Sequence, residues 1–171
     1  MDTVGFVILH YNVIDDTIAC VQSIQRNIDT NNYLIVVVDN CSPNETGKKL
    51  LELYHDEKKI HVILNEMNLG FAKGNNIGIE YAQDYQHCNY ICCLNNDTIL
   101  TEKDFLAKIK KEYLHSNAAV IAPLVYLRNN KIQQYRYQLY SRNYYLNKLK
   151  KLKFNNNKIV FELKFFFKKS F

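Results

Sequence analysis

A chain of 171 residues with 47% apolar and 23% charged side chains has room for one well-packed domain but not a second, and its composition excludes wholesale disorder. No apolar run approaches the ~20 residues of a membrane-spanning helix. The five cysteines, Cys20, Cys41, Cys88, Cys92 and Cys93, form no CxxC pair and follow no signal peptide, so a reduced, cytoplasmic setting is expected. The net charge of +5 is unevenly spread: residues 1–112 hold 10 Lys+Arg against 16 Asp+Glu, and residues 113–171 hold 12 against 1, Glu162. A basic segment thus follows a mildly acidic domain.

In chain order, short β-branched runs alternate with longer amphipathic stretches, the pattern of βαβ units and a mostly parallel sheet. Strands are predicted at 4–9, 34–38, 60–64, 90–94 and 119–122, and helices at 15–28, 44–55, 73–85 and 102–115. Ser42-Pro43-Asn44-Glu45 offers the second helix a cap, an early proline and a capping-box acid. Thr101, ahead of Glu102 and Asp104, offers a cap to the fourth. Beyond Tyr126 the texture changes to a tyrosine-rich stretch without a period, a short basic helix near 144–152 and a lysine-flanked aromatic run near 159–167. The reading divides the chain into a domain of residues 1–126 and a basic, aromatic-rich segment of residues 127–171.

In an open α/β sheet, ligands gather outside the carboxyl ends of the strands. There the sequence places His10-Tyr11-Asn12, Asp39-Asn40-Cys41-Ser42, Asn65-Glu66-Met67-Asn68-Leu69-Gly70-Phe71 and Asn95-Asn96-Asp97-Thr98. Residue chemistry alone leaves two readings for each group. Asp39 either accepts an imide N–H at the strand's mouth or caps the next helix. Asn95-Asn96-Asp97 is either a ribose and cation turn or a plain turn before the fourth helix. His10 and Tyr11 are either ring contacts or core and rim. Gly70, Gly74 and Gly78 permit close backbone approach, and the helix starting near Lys73 turns its N–H groups toward the cleft, although the spacing matches neither G-x-G-x-x-G nor the Walker pattern. Cys92 and Cys93, in an apolar strand, read as buried thiols rather than metal ligands.

Four such motifs in order, each after a strand, resemble the N-terminal signature of family 2 glycosyltransferases, especially bacterial members that build cell-surface polysaccharides, among them rhamnosyltransferase-like proteins. The resemblance covers about the first 125 residues. It implies an α/β, GT-A (Rossmann-like) nucleotide-diphospho-sugar transferase fold, a UDP- or dTDP-sugar donor, a saccharide or lipid-linked acceptor, and Mg²⁺ or Mn²⁺. Asp39 would read the base, His10, Tyr11 and Asn12 would border base and ribose, and Asn40, Asn68, Gly70 and Lys73 would line the nucleotide pocket. Asn95-Asn96-Asp97 stands where the family carries Asp-x-Asp. Asp97 would be the metal carboxylate, while Asn95 and Asn96 would meet the nucleotide without adding charge.

No catalytic residue is assigned. The family's base, an Asp or Glu well after the metal site, has no counterpart here, since no Asp follows Asp104 and Glu162 stands alone. The expectation is therefore a truncated or split gene product, or a base supplied by a second polypeptide. The basic tail would favour peripheral contact with the inner face of the cell membrane. Three rivals stay open: a non-catalytic nucleotide-sugar-binding partner subunit, a nucleic-acid binder using the tail, which leaves residues 1–112 unexplained, and a nucleotidyltransferase, whose N-terminal Gly-rich basic motif is missing.

Overall fold

The computed structural model describes residues 3–127, 129, 131 and 132. Strands β1 (Val4–His10), β2 (Tyr33–Asp39), β3 (Ile60–Leu64) and β4 (Tyr90–Asn95) pair in parallel in the order β3-β2-β1-β4. Helices α1 (Ile14–Asn27), α2 (Thr46–Leu53) and α3 (Gly70–Glu80) connect them, α3 running on through a π-helical turn at Tyr81–Tyr85, and α4 (Phe105–Ser116) follows β4.

The continuous apolar runs of β1 and β2 follow from burial on both faces of a parallel sheet. On one face Phe6, Ile8, Ile35 and Val37 pack with Cys20, Val21 and Ile24 of α1 and Leu50 of α2, with Phe105 and Leu106 of α4 against them. On the other, Val7, Val36 and Val38 pack with Ala82, and Ile77 and Ile79 of α3 lean on them. Each fully buried Val, Ile or Phe contributes about 1.5–3 kcal/mol, so these two layers hold the strands' carboxyl ends in place.

The second layer is unusually close because Gly74, Gly78 and Ala82 recur every four residues along α3 and its π-turn, one stripe of a helix face. A methyl on Gly78 would run into Val7, one on Gly74 into Leu9, and one on Gly5 of β1 would stand 2.8 Å from the Ala82 Cβ. These glycines therefore seat the helix on the sheet. The close backbone approach expected of Gly74 and Gly78 is thus made to the sheet.

The four strands before β4's end lie within one residue of their predicted limits, whereas 119–122 forms no strand. Neither predicted helix cap forms. α2 starts at Thr46 behind a left-handed Glu45, and α4 starts at Phe105, three residues after Glu102, with no side-chain cap on either. In front of α4, Lys108 gathers the carboxylates of Glu102 and Asp104 instead.

The unit holding the sheet closes at Ile121. Beyond it, the described residues show one antiparallel bridge, Tyr126 to Ile132, with Leu127 N–H donating to Lys131 O at 2.8 Å. The remainder of the basic segment 127–171, with the short helix, the aromatic run and Glu162, lies outside the described residues. Among those described, no helix is long and apolar enough to cross a membrane.

Candidate functional site

The register brings the strand ends level: His10 pairs with Asp39, Leu9 with Asn95 and Asp39 with Leu64. From β1 the chain moves through β2 to β3 on one side, then returns to β4 on the other, so the order reverses at β1. That reversal is where an open α/β sheet leaves a ligand crevice. The loops bordering it carry backbone strain: Asn12, Cys41 and Glu45 have φ of 66°, 62° and 59°, in the left-handed region that side chains other than glycine rarely occupy. Such conformations cost about 1–3 kcal/mol each and concentrate at functional sites.

Asp39 is 5% exposed. Its carboxylate accepts the Ser42 amide (3.3 and 3.2 Å to its two oxygens) and the Ser42 hydroxyl, with His10 Nε2 at 3.9 Å from Oδ1. Ser42 Oγ also accepts the Asn12 amide at 2.9 Å, tying the β1 loop to the β2 loop. Asp39 thus organises the turn before α2 at the mouth of β2. Gly47, in α2's first turn, has no room for a methyl because Asp39 fills the space.

His10 is the last residue of β1. It is fully buried, with Nδ1 2.7 Å from Thr17 Oγ1 and Nε2 2.9 Å from Thr46 Oγ1. Burial pushes its pKa below the ordinary 6.5, against a smaller upward pull from Asp39. Tyr11, 44% exposed, stays on the rim with its ring accessible. Asn12 Oδ1 is buried without a hydrogen-bond partner.

Asn40 frames the next loop. Its Nδ2 donates to Asn68 Oδ1 (2.9 Å), and its Oδ1 accepts the Leu69 amide (2.9 Å) and Asn65 Nδ2 (3.3 Å). Asn68 Oδ1 takes the Gly70 amide at 2.9 Å as well. The amides of Leu69 and Gly70 are therefore bonded within the loop, and α3 begins at Gly70, ahead of the start expected near Lys73. Gly70 has φ 77° and open space around it, and Lys73 is exposed on α3's first turn.

At the β4 mouth, Asn95 and Asp97 are exposed, and Thr98 N–H closes a turn onto Asn95 O at 3.1 Å. Asn96 turns inward, its Nδ2 reaching Val13 O at 3.4 Å and Thr17 Oγ1 at 3.2 Å. Among the described residues no three His, Cys, Asp or Glu side chains cluster as a metal site. One exposed carboxylate, Asp97, fits a hard cation that completes its shell from phosphate oxygens and water. The cysteines do not compete for this role: burial pushes the thiols of Cys20 and Cys92 up to about 12. Cys93, read as buried, is exposed on β4. A cavity of about 180 Å³ at the C-terminal end of α1, lined by Ile28, Asp29 and Lys103 among others, shares no residue with this cleft.

The model of the family described as glycosyl transferase family 2 matches residues 6–171. The chain belongs to that family. Its sheet and helices match GT-A glycosyltransferase structures. The Staphylococcus aureus protein TarS (residues 1–349) in complex with UDP-GlcNAc is 18% identical, with TM-score 0.61, covering 77% of this chain and 37% of that one. Its complex with UDP gives TM-score 0.55 over 75% and 43%. The mannosyltransferase PcManGT from Pyrobaculum calidifontis, in complex with GDP-Man and Mn²⁺, is 17% identical, with TM-score 0.52 over 64% and 32%. The family 2 chain thus spans well under half the length of these structures, and at such identity the likeness is one of fold. No curated protein matches it in sequence.

Sequence reasoning missed Thr17, Thr46 and Gly47 as parts of the site. A signal for one was available: a histidine at the end of a central strand must find buried partners, and Thr17 lies one helical turn into α1.

Proposed function

We propose that this chain binds a UDP- or dTDP-sugar together with Mg²⁺ or Mn²⁺, as part of an enzyme that transfers the sugar to a saccharide or lipid-linked acceptor in cell-surface polysaccharide synthesis. The observation that carries this reading is the row of polar side chains at level strand ends where the strand order reverses, with Asp39 ending β2 and Asn95 ending β4 on either side of β1.

Asp39 takes the imide N–H of the pyrimidine, and Tyr11 gives its ring to the base. Asn95 and Asp97 stand toward ribose and diphosphate, with Lys73 on the α3 side supplying positive charge. A bound cation supplies neutralisation of the charge that builds on the departing diphosphate. The family membership and the nucleotide-sugars held by TarS and PcManGT support the assignment.

Calorimetric titration with UDP, dTDP and GDP, with and without Mn²⁺, tests it. UDP or dTDP is expected to bind and to raise stability by about 2.7 kcal/mol at a hundredfold excess over Kd. Asp39→Ala is expected to weaken binding with or without metal. Folded protein that binds none of the three overturns the proposal, and binding of GDP alone overturns the pyrimidine assignment.

A further inference from the structure

His10 lies beneath the cleft, and its surroundings determine where its proton sits. Thr46 Oγ–H donates to Asn44 Oδ1 at 2.7 Å, so the Thr46 oxygen is left to accept from His10 Nε2 at 2.9 Å. On the other side, the Asn96 amide reaches both Val13 O and Thr17 Oγ1. The Thr17 hydroxyl has two acceptors in reach, Val13 O at 3.3 Å and His10 Nδ1 at 2.7 Å, and the shorter contact, to the ring, takes its proton. Every donor then has an acceptor around a neutral ring protonated on Nε2. The opposite tautomer needs the Thr46 proton for the ring and leaves Asn44 Oδ1 with only the weaker Thr46 amide at 3.4 Å. It also turns a lone pair toward Asp39 Oδ1, 3.9 Å away. The charged group facing the ring is Asp39 from β2, while α1 and α2 meet it with Thr17 and Thr46.

We propose that His10 is a positioning residue, held as the neutral Nε2–H tautomer, which backs the Asp39 carboxylate and locks the β4 loop to the β1 loop. The bonds run in one direction, Asn96 to Thr17 to His10 to Thr46 to Asn44, and end with Asn44 Nδ2 donating to Asn12 O at 2.9 Å. Residues at both ends of the cleft are thereby fixed relative to each other before a ligand arrives, which lowers the ordering cost of binding. Burial of the ring, which lowers its pKa, favours the uncharged form, and the hydrogen bonds select the tautomer. The role as a positioning residue rests on the nucleotide reading of the cleft.

Two measurements test it. In ¹⁵N-histidine NMR of the whole chain at pH 7, with the His10 signals assigned by their loss in His10→Gln, a neutral ring carrying its proton on Nε2 is expected. The Nδ1–H form or an imidazolium overturns the proposal. In titration with UDP and Mn²⁺, His10→Phe, which keeps the ring's bulk and loses both bonds, is expected to bind about tenfold more weakly or worse. Folded His10→Phe with wild-type affinity overturns the positioning role. Should His10→Phe not fold, Thr46→Val removes one partner and leaves the ring. Its tautomer balance and affinity are expected to shift together, and a shifted tautomer with unchanged affinity is the refuting result. If the wild-type chain binds neither UDP nor dTDP, the nucleotide reading itself fails, and the positioning role with it.

Discussion

Replacing Gly47 by Ala asks whether the position of Asp39 matters to a ligand, because the added methyl lands in the space the Asp39 carboxyl occupies. The new Cβ would overlap Asp39 Cγ and Oδ2 and stand 2.7 Å from Asp39 Cβ. Gly47 is buried in the first turn of α2, and Asp39 ends a central strand, so neither backbone yields readily. The carboxyl must turn out of its seat between Ser42 and His10. Helix propensity favours Ala over Gly by about 0.8–1.0 kcal/mol, while overpacking costs about 1–3 kcal/mol. The net loss of stability is then about 0–2 kcal/mol, and the melting temperature falls by no more than about 4–8 °C for a chain of this size.

Binding is expected to suffer more than stability does. Losing a hydrogen bond to a charged acceptor costs about 1.5–3 kcal/mol, or roughly 10- to 150-fold in Kd. The assay is calorimetric titration with UDP and Mn²⁺ on the wild type, Gly47→Ala, Asp39→Ala and the double variant, with a thermal melt of each. If the methyl acts through Asp39, its effect on affinity disappears in the Asp39→Ala background. A folded Gly47→Ala that binds like the wild type, or an additive double variant, would refute the reasoning.

Gly78→Ala is expected to destabilise the fold by about 1–2 kcal/mol despite its gain in helix propensity, because the methyl collides with Val7 and lies 3.0 Å from Val38 Cγ2. Urea melts check this, with Val7→Ala expected to restore part of the loss. Gly70→Ala, with open space around a φ of 77°, should cost about 1–2 kcal/mol from backbone strain alone. Asp97→Ala is expected to make nucleotide binding indifferent to Mn²⁺ while leaving residual metal-free binding, and a persistent metal response would move the cation elsewhere. Because His10 titrates lower in the folded chain than its ordinary 6.5, the unfolded chain binds the proton first as pH falls. Stability from this group is therefore complete above about pH 6.5–7 and declines as pH falls through the folded pKa. Denaturant melts across that window should show a slope that His10→Gln flattens.

Much of the fold was legible because the strands have sharp chemical edges. Val36-Val37-Val38 stops at Asp39, and Cys92-Cys93-Leu94 stops at Asn95, so an apolar run ends where the polar loop begins. The helix starts were less legible because capping residues have competitors. Ser42 was read as a cap for α2, but its hydroxyl goes to Asp39 and the chain passes through a left-handed Glu45 before the helix begins. Glu102 and Asp104 were read into α4's first turn, but they converge on Lys108 ahead of it. A four-residue apolar run at 119–122 carried no flanking periodicity to separate a strand from irregular chain.

The site divides along a different line. Asp39, Tyr11, Asn95 and Asp97 stand where the sequence places them, at the mouths of β1, β2 and β4. The bonds between loops were not legible, because the partners are distant in sequence. His10 meets Thr46 across 36 positions, Asn40 meets Asn68 across 28, and Asn96 meets Thr17 across 79. A motif seen one loop at a time looks like four sets of ligand contacts. In three dimensions part of each set binds the other loops instead, because polar side chains crowded at the end of a buried sheet must satisfy one another before they can serve a ligand. Asn12 Oδ1 is the acceptor this mutual satisfaction leaves over among the described residues.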